Sequence, residues 1–160
     1  MYTSEQVIQK LNSIRNYLKS FRNYAVSYAC QTAILKIRQR VTRGDDLRGR
    51  AFKAYSTRPI YIRSPYANLS KFYPGGYAQY KPLVNSNYLE MSGDMLMGIV
   101  FKPTTDGGQV APATEDVKRK IVANENLDRL FFGLMDEESS DILNKIYQKA
   151  EGDINAILNS

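Results

Sequence analysis

Arg38, Arg40, Arg43, Arg48, Arg50, Lys53, Arg58 and Arg63 follow one another within a short span of the chain, and Lys81 lies further on. Phe52, Tyr55, Tyr61 and Tyr66 are interleaved with them. Cations hold phosphate and aromatic faces stack on bases, so this make-up fits a nucleic-acid surface. It fits a wet protein interface rich in Arg and Tyr equally well. No groove-reading motif accompanies it, which suits diffuse rather than base-specific contact. These nine cations are therefore candidates for a subunit contact or for the lining of a DNA channel.

Other chemistry finds less to work with. Cys30 is the single cysteine and the chain has no His. A Cys nucleophile of the triad type lacks its usual base, and a zinc site would rest on carboxylates alone. Tyr28, Ala29 and Ala33 around Cys30 predict a buried helical position, where a free thiol packs as a small hydrophobe. Clustered Arg beside Tyr is the setting of a tyrosine nucleophile, yet no one tyrosine is singled out. The carboxylate groups Asp45-Asp46 and Asp136-Glu137-Glu138 read as a turn and a helix start. A phosphate loop is missing, since Gly44, Gly49, Gly75 and Gly76 precede no Gly-Lys-hydroxyl run. The expectation is a protein that is not an enzyme and that uses no cofactor and no metal.

Charge is unevenly spread. Residues 1–35 carry a balance of +3, residues 36–81 of +9, and residues 82–160 of −6. A basic middle and an acidic end can serve polyanion contact, or contact between copies of the chain, basic surface to acidic surface. No apolar run approaches the roughly 18 residues that span a bilayer, and the first residues lack the layout of a signal peptide. No membrane contact is expected, and a cytosol-like compartment is.

The elements that must position these groups read as one α+β domain over residues 1–160. Thr3 and Gln6 form a capping-box start. Val7, Ile8, Leu11, Ile14, Leu18 and Phe21 recur at helical spacing, and a second run through Tyr24, Tyr28, Ala33, Ile37 and Val41 leads to the stop at Gly44. Residues 4–43 are thus helical, as one helix or as two with a kink near Asn23. Residues 44–87 show no sustained period and carry Pro59, Pro65, Pro74 and Pro82; only Ile60–Ile62 suggests a strand. Seven of the twelve tyrosines fall between Ile37 and Ile99. Irregular stretches longer than about 12–15 residues are usually binding elements or disordered, so this basic, Tyr-rich excursion is expected to be completed by a partner. Residues 88–113 predict a small antiparallel sheet, with strands at 96–103 and 109–113 joined by the Asp106-Gly107 turn. A short helix at 114–126 and an amphipathic C-terminal helix at 136–158 follow. Ile142, Ile146 and Ile154 are the expected core contacts of that last helix.

The order of these features resembles the tailed-bacteriophage virion-morphogenesis proteins, the neck and tail-completion factors of head–tail joining. The resemblance runs over roughly residues 30–158. It begins with a helix ending in Ile37-Arg38-Gln39-Arg40-Val41-Thr42-Arg43-Gly44, then Gly49-Arg50-Ala51-Phe52-Lys53-Ala54-Tyr55-Ser56, then the Gly75-Gly76-Tyr77-Ala78-Gln79-Tyr80-Lys81 loop. Met91-Ser92-Gly93-Asp94-Met95-Leu96 is similar to the family's Thr-Gly-x-Met/Leu element before a strand. Arg129-Leu130-Phe131-Phe132-Gly133-Leu134 with Asp136-Glu137-Glu138 is similar to its Arg-x-Phe-x-Gly-Leu and acidic cap. The chain departs from the family where many members carry an aromatic-Ala-x-x-His-x-x-Gly stretch; Lys118-Arg119-Lys120 stands there instead. The resemblance implies a homo-oligomeric ring at the virion head–tail junction, made in a bacterial cytoplasm. Its partners would be portal-adaptor, neck or tail proteins, and double-stranded DNA would pass through without specific grip. The alternative is a small basic DNA- or RNA-binding accessory protein.

Overall fold

The computed structural model describes residues 3–84 and 94–160. The fold is α+β, with helices at both ends of the chain and two antiparallel two-stranded sheets. In chain order the elements are α1 (Ser4–Arg43), β1 (Ile60–Ile62), a 3-10 turn (Ala67–Leu69), β2 (Lys71–Tyr73), α2 (Gly76–Val84) and α3 (Asp94–Met97). β3 (Ile99–Thr104), β4 (Gly107–Pro112), α4 (Glu115–Glu125) and α5 (Asp136–Asn159) complete it. Packing groups the chain into two units. One takes Met1–Lys36, Phe101–Ala111 and Leu134–Ser160, and the other Ile37–Val100 and Pro112–Gly133.

α1 is a single helix of 40 residues. It starts on the expected box: the Thr3 amide donates to Gln6 Oε1 at 2.9 Å and the Gln6 amide to Thr3 Oγ1 at 3.3 Å. The helix runs unbroken through Asn23, and an aromatic ladder bridges that position. Tyr17, Phe21, Tyr24 and Tyr28 stand three or four residues apart, and successive ring centroids are 5.2, 5.5 and 5.9 Å apart. Gly44, at φ 88°, stops the helix in the left-handed region that glycine enters freely.

In the first unit, α5 runs antiparallel to α1. Lys10 Nζ donates to the Leu158 carbonyl, Tyr17 Oη to Asp153, and Lys36 Nζ to Asp141 at 2.7 Å. Cys30, Ala33, Ile34 and Ile142 are its buried apolar residues, while Ile146 and Ile154 are half-buried. The Met135 amide donates to Glu138, which holds the start of α5. The tip of the β3–β4 hairpin packs on α1: Arg22 donates to the Asp106 carbonyl, and a Cβ at Gly108 would collide with the Phe101 ring and crowd Val26. The strands fall at 99–104 and 107–112, close to the expected ranges.

The second unit gathers Ile37, Val41, Phe52, Tyr73, Tyr80, Met95, Leu96, Ile99, Val117, Ile121 and Phe131 in its interior. α4 starts at Thr114, whose Oγ1 accepts from the Val117 amide. The stretch at 44–84 holds more order than its lack of period suggests. β1 and β2 pair antiparallel as Ile60↔Tyr73, Tyr61↔Phe72 and Ile62↔Lys71, and α2 follows. Four tyrosines pack there: Tyr55 on Tyr77 at 5.1 Å, Tyr77 on Tyr80 at 5.6 Å, and Tyr80 edge-on to Tyr73 at 5.3 Å. Tyr80 and Ser64 share a hydroxyl hydrogen bond of 2.9 Å, and Tyr73 donates to the Leu69 carbonyl. Met91, Ser92 and Gly93 of the Met91–Leu96 motif lie outside the described residues, as does Tyr88; Asp94, Met95 and Leu96 open α3.

Candidate interaction surface

The nine cations singled out from the sequence divide by what holds them. Arg38 donates to the carbonyls of Leu96, Met97 and Ile99, which satisfies backbone acceptors at the end of α3. Arg40 is fully buried and reaches the carbonyls of Phe131 at 2.8 Å and Gly133 at 2.7 Å. Its place could have been read from the spacing: Ala33, Ile37, Arg40 and Val41 fall on one helical face. Lys81 is also buried.

Arg48 and Arg50 close a turn on Asp46, whose side chain is only 3% exposed. Asp46 Oδ1 accepts both the Arg48 and Arg50 amides, at 2.8 and 2.9 Å. Oδ2 accepts Arg48 Nε at 2.8 Å and lies 3.4 Å from Arg50 Nη2. Arg48 also reaches Asp128 at 3.0 Å, and these bonds, that to Asp46 first, hold its pKa above the usual guanidinium value. A short acidic side chain accepting amides just ahead of it is an Asx-type turn. The Asp-x-Arg-x-Arg spacing was the signal for it.

Arg43, Lys53, Arg58 and Arg63 are exposed. Arg43 lies 3.6 Å from Asp45. Comparisons with family models, curated proteins and solved structures find no match. The surface must therefore be read from its own geometry.

Tyr61 and Phe72 are directly opposite each other across the β1–β2 pair, so they share one face of that ribbon. They are 61% and 57% exposed, whereas Tyr73, on the other face, is buried. Arg63 is two residues on from Tyr61, and Lys71 sits beside Phe72, with its Nζ 5.6 Å from the Tyr73 ring. Among the described residues no carboxylate pairs with Arg58, Arg63 or Lys71, and residues 47–84 contain no acidic side chain at all. The ribbon thus offers two aromatic faces amid uncompensated positive charge. Lys71, which the sequence reading passed over, adds a cation on the ribbon's other face, near Tyr73. Neighbouring Tyr55 is turned to another use: the Arg129 guanidinium stacks over its ring at 4.3 Å, and Arg129 Nε donates to the Lys53 carbonyl. Burial raises the Tyr73 and Tyr77 hydroxyl pKa values.

Proposed function

We propose that this chain is a structural virion protein of a tailed-phage head–tail junction, a subunit of a neck or tail-completion ring through which the genome passes. The reading rests on the motif order described above. The observation that carries it further is the β1–β2 ribbon. Arg58 and Arg63 flank β1, whose Tyr61 shares an exposed face with Phe72, Lys71 lies on the ribbon's other face near Tyr73, and residues 134–160 hold six acidic against two basic side chains. A basic, aromatic surface on one copy and an acidic helix on the next are the complementary pair that a head-to-tail ring needs. The same cations suit a conduit, since they meet phosphate without reading bases. Arg48 and Arg50 are bound to Asp46 and serve the fold, so the contact falls to the three ribbon cations.

The test is the triple variant Arg58→Glu, Arg63→Glu, Lys71→Glu in the full chain, followed by mass photometry and negative-stain imaging. The wild type is expected to form large ring particles that the variant loses while keeping its helical circular dichroism. A wild type that stays small yet grips DNA with a steep salt dependence supports the second reading, a nucleic-acid accessory protein. That reading draws on the Tyr61–Phe72 pair, whose open faces can stack on bases. Unchanged assembly and unchanged DNA retention in the variant would remove both.

A further inference from the structure

The first unit carries an apolar surface that its own two helices leave open. The half-buried residues of α1 facing α5 are Lys10, Ile14, Tyr17 and Phe21, while Val7, Leu11 and Leu18 are 43%, 60% and 48% exposed. At 3.6 residues per turn these three share one stripe, about a quarter turn round from the contact seam. On α5 the seam is Ile142, Ile146, Ala150, Asp153 and Ile157. Leu143, Tyr147 and Leu158, at 55%, 74% and 41% exposure, with half-buried Ile154, form the matching stripe. It too lies about a quarter turn from its seam, in the same rotational sense along its own chain.

Because the helices run antiparallel, equal rotations along each chain are opposite as seen from one end. Both stripes therefore come to the same side of the pair and form one continuous apolar face. The other side is polar: Tyr17 bonds Asp153 at 2.9 Å, and Lys149 bonds Asp153 and lies over the Tyr24 ring. The tip of the β3–β4 hairpin reaches this side at Arg22 and Val26. The stripe residues Val7, Leu11, Leu18, Leu143, Tyr147 and Leu158 stay exposed.

Charge at the rim indicates what covers it. Residues 4–36 of α1 carry five basic and one acidic side chain, and α5 carries six acidic and two basic. On the outer edge of the face, Lys19 stands on α1 and Glu151 on α5, and neither has an ion pair among the described residues. The Tyr17–Asp153 bond sets the level of the two helices, and it places Lys19 level with Glu151. We propose that a second copy of this chain docks on this face, its α1 lying antiparallel on α5 and its α5 on α1, as a two-fold four-helix bundle. In that arrangement Lys19 of each copy meets the partner's Glu151, two pairs in all, and the two apolar faces close on each other. The other two-fold arrangement, α1 antiparallel on α1, would instead set basic rim against basic rim. The contact concerns the free protein and does not rest on the ring proposed above.

Sedimentation equilibrium of the full chain tests it. In the Arg58→Glu, Arg63→Glu, Lys71→Glu background, where ring assembly is removed, a dimer is expected, and a monomer of unchanged helicity when Leu18→Glu and Tyr147→Glu are added, because both sites are exposed in the single chain. Lys19→Glu is expected to weaken the dimer about tenfold or more, and Glu151→Lys in the same chain to restore it by reversing the pair. A monomer in that background at high micromolar concentration overturns the proposal. So does a dimer untouched by the Leu18 and Tyr147 changes, or a Lys19→Glu defect that Glu151→Lys deepens. A dimer that forms while the ribbon variant shows no assembly or DNA defect keeps this contact and removes the ring.

Discussion

Tyr17 shows how a single side chain ties the two long helices to pH. Partial burial first, and then the hydrogen bond it donates to Asp153, push its hydroxyl pKa from 10.0 up to about 12. The folded chain therefore holds this proton more tightly than the unfolded chain. The contribution is complete below pH 10 and is lost as pH rises toward about 12. Asp153 is held below the usual carboxylate value by Lys149 and Tyr17, and Asp141 by Lys36 and Lys145, so their contributions fade in acid instead. Melting temperature followed through the alkaline range should fall steeply for the wild type. Tyr17→Phe should melt lower at neutral pH and fall less steeply; an identical alkaline slope in both would contradict this account. None of this was legible in the sequence, because Tyr17 and Asp153 meet only when the ends of the chain fold together. The arginines teach the complementary lesson. Arg40 sits at core spacing on α1, and Arg48 and Arg50 flank an Asx-type turn. Local pattern did mark them as structural, but charge density drew attention away from the pattern.

Among the elements, those with a repeating period were read with least error. The Thr3 box, the stop at Gly44 and the start of α5 each express a local rule, and the structure carries all of them; the hairpin forms too, but it turns at Thr105-Asp106 and Gly107 opens β4. The stretch at 44–84 has no period because its interior is built from isolated anchors, Phe52, Tyr73 and Tyr80, separated by turns. Its tyrosines, read as interface residues, partly pack on one another. Gly76 is the point where this arrangement is most constrained. It has φ +67°, and an added Cβ would stand 2.5 Å from the carbonyl oxygens of both Arg58 and Ser56. The Ala78 amide then donates to that Ser56 carbonyl at 3.0 Å, tying α2 to the segment ahead of β1. Alanine at position 76 meets both the left-handed backbone penalty and a clash with main chain that cannot rotate away. The expected loss is about 2–4 kcal/mol in chemical denaturation, with faster proteolysis between Phe52 and Tyr80. A loss below about 0.5 kcal/mol, the level of an ordinary surface change, would mean that this close approach does not form.

For the whole molecule, the question is whether its basic excess is used on phosphate or on protein. The net charge of +6 is a poor guide, since it sums stretches of +3, +9 and −6 and counts cations already engaged within the fold. Arg38, Arg40, Arg48 and Arg50 are engaged by carbonyls or by Asp46, and Lys81 is buried. What remains concentrated on one exposed element is Arg58, Arg63 and Lys71. If duplex DNA is held by these three, the binding constant should fall with salt at a log–log slope of about −3, set by the number of phosphates neutralised. If all nine of the original cations took part, the slope would be about −8. The shallow slope is the expected result, measured by fluorescence anisotropy on duplexes of unrelated sequence, which should bind alike. Reversing the three ribbon cations should abolish the salt-dependent part. Arg43→Gln and Lys53→Gln, outside the ribbon, should each lower the slope by less than one. A slope near −8, or one that survives the triple reversal, would place the DNA contact elsewhere and leave the ribbon to protein.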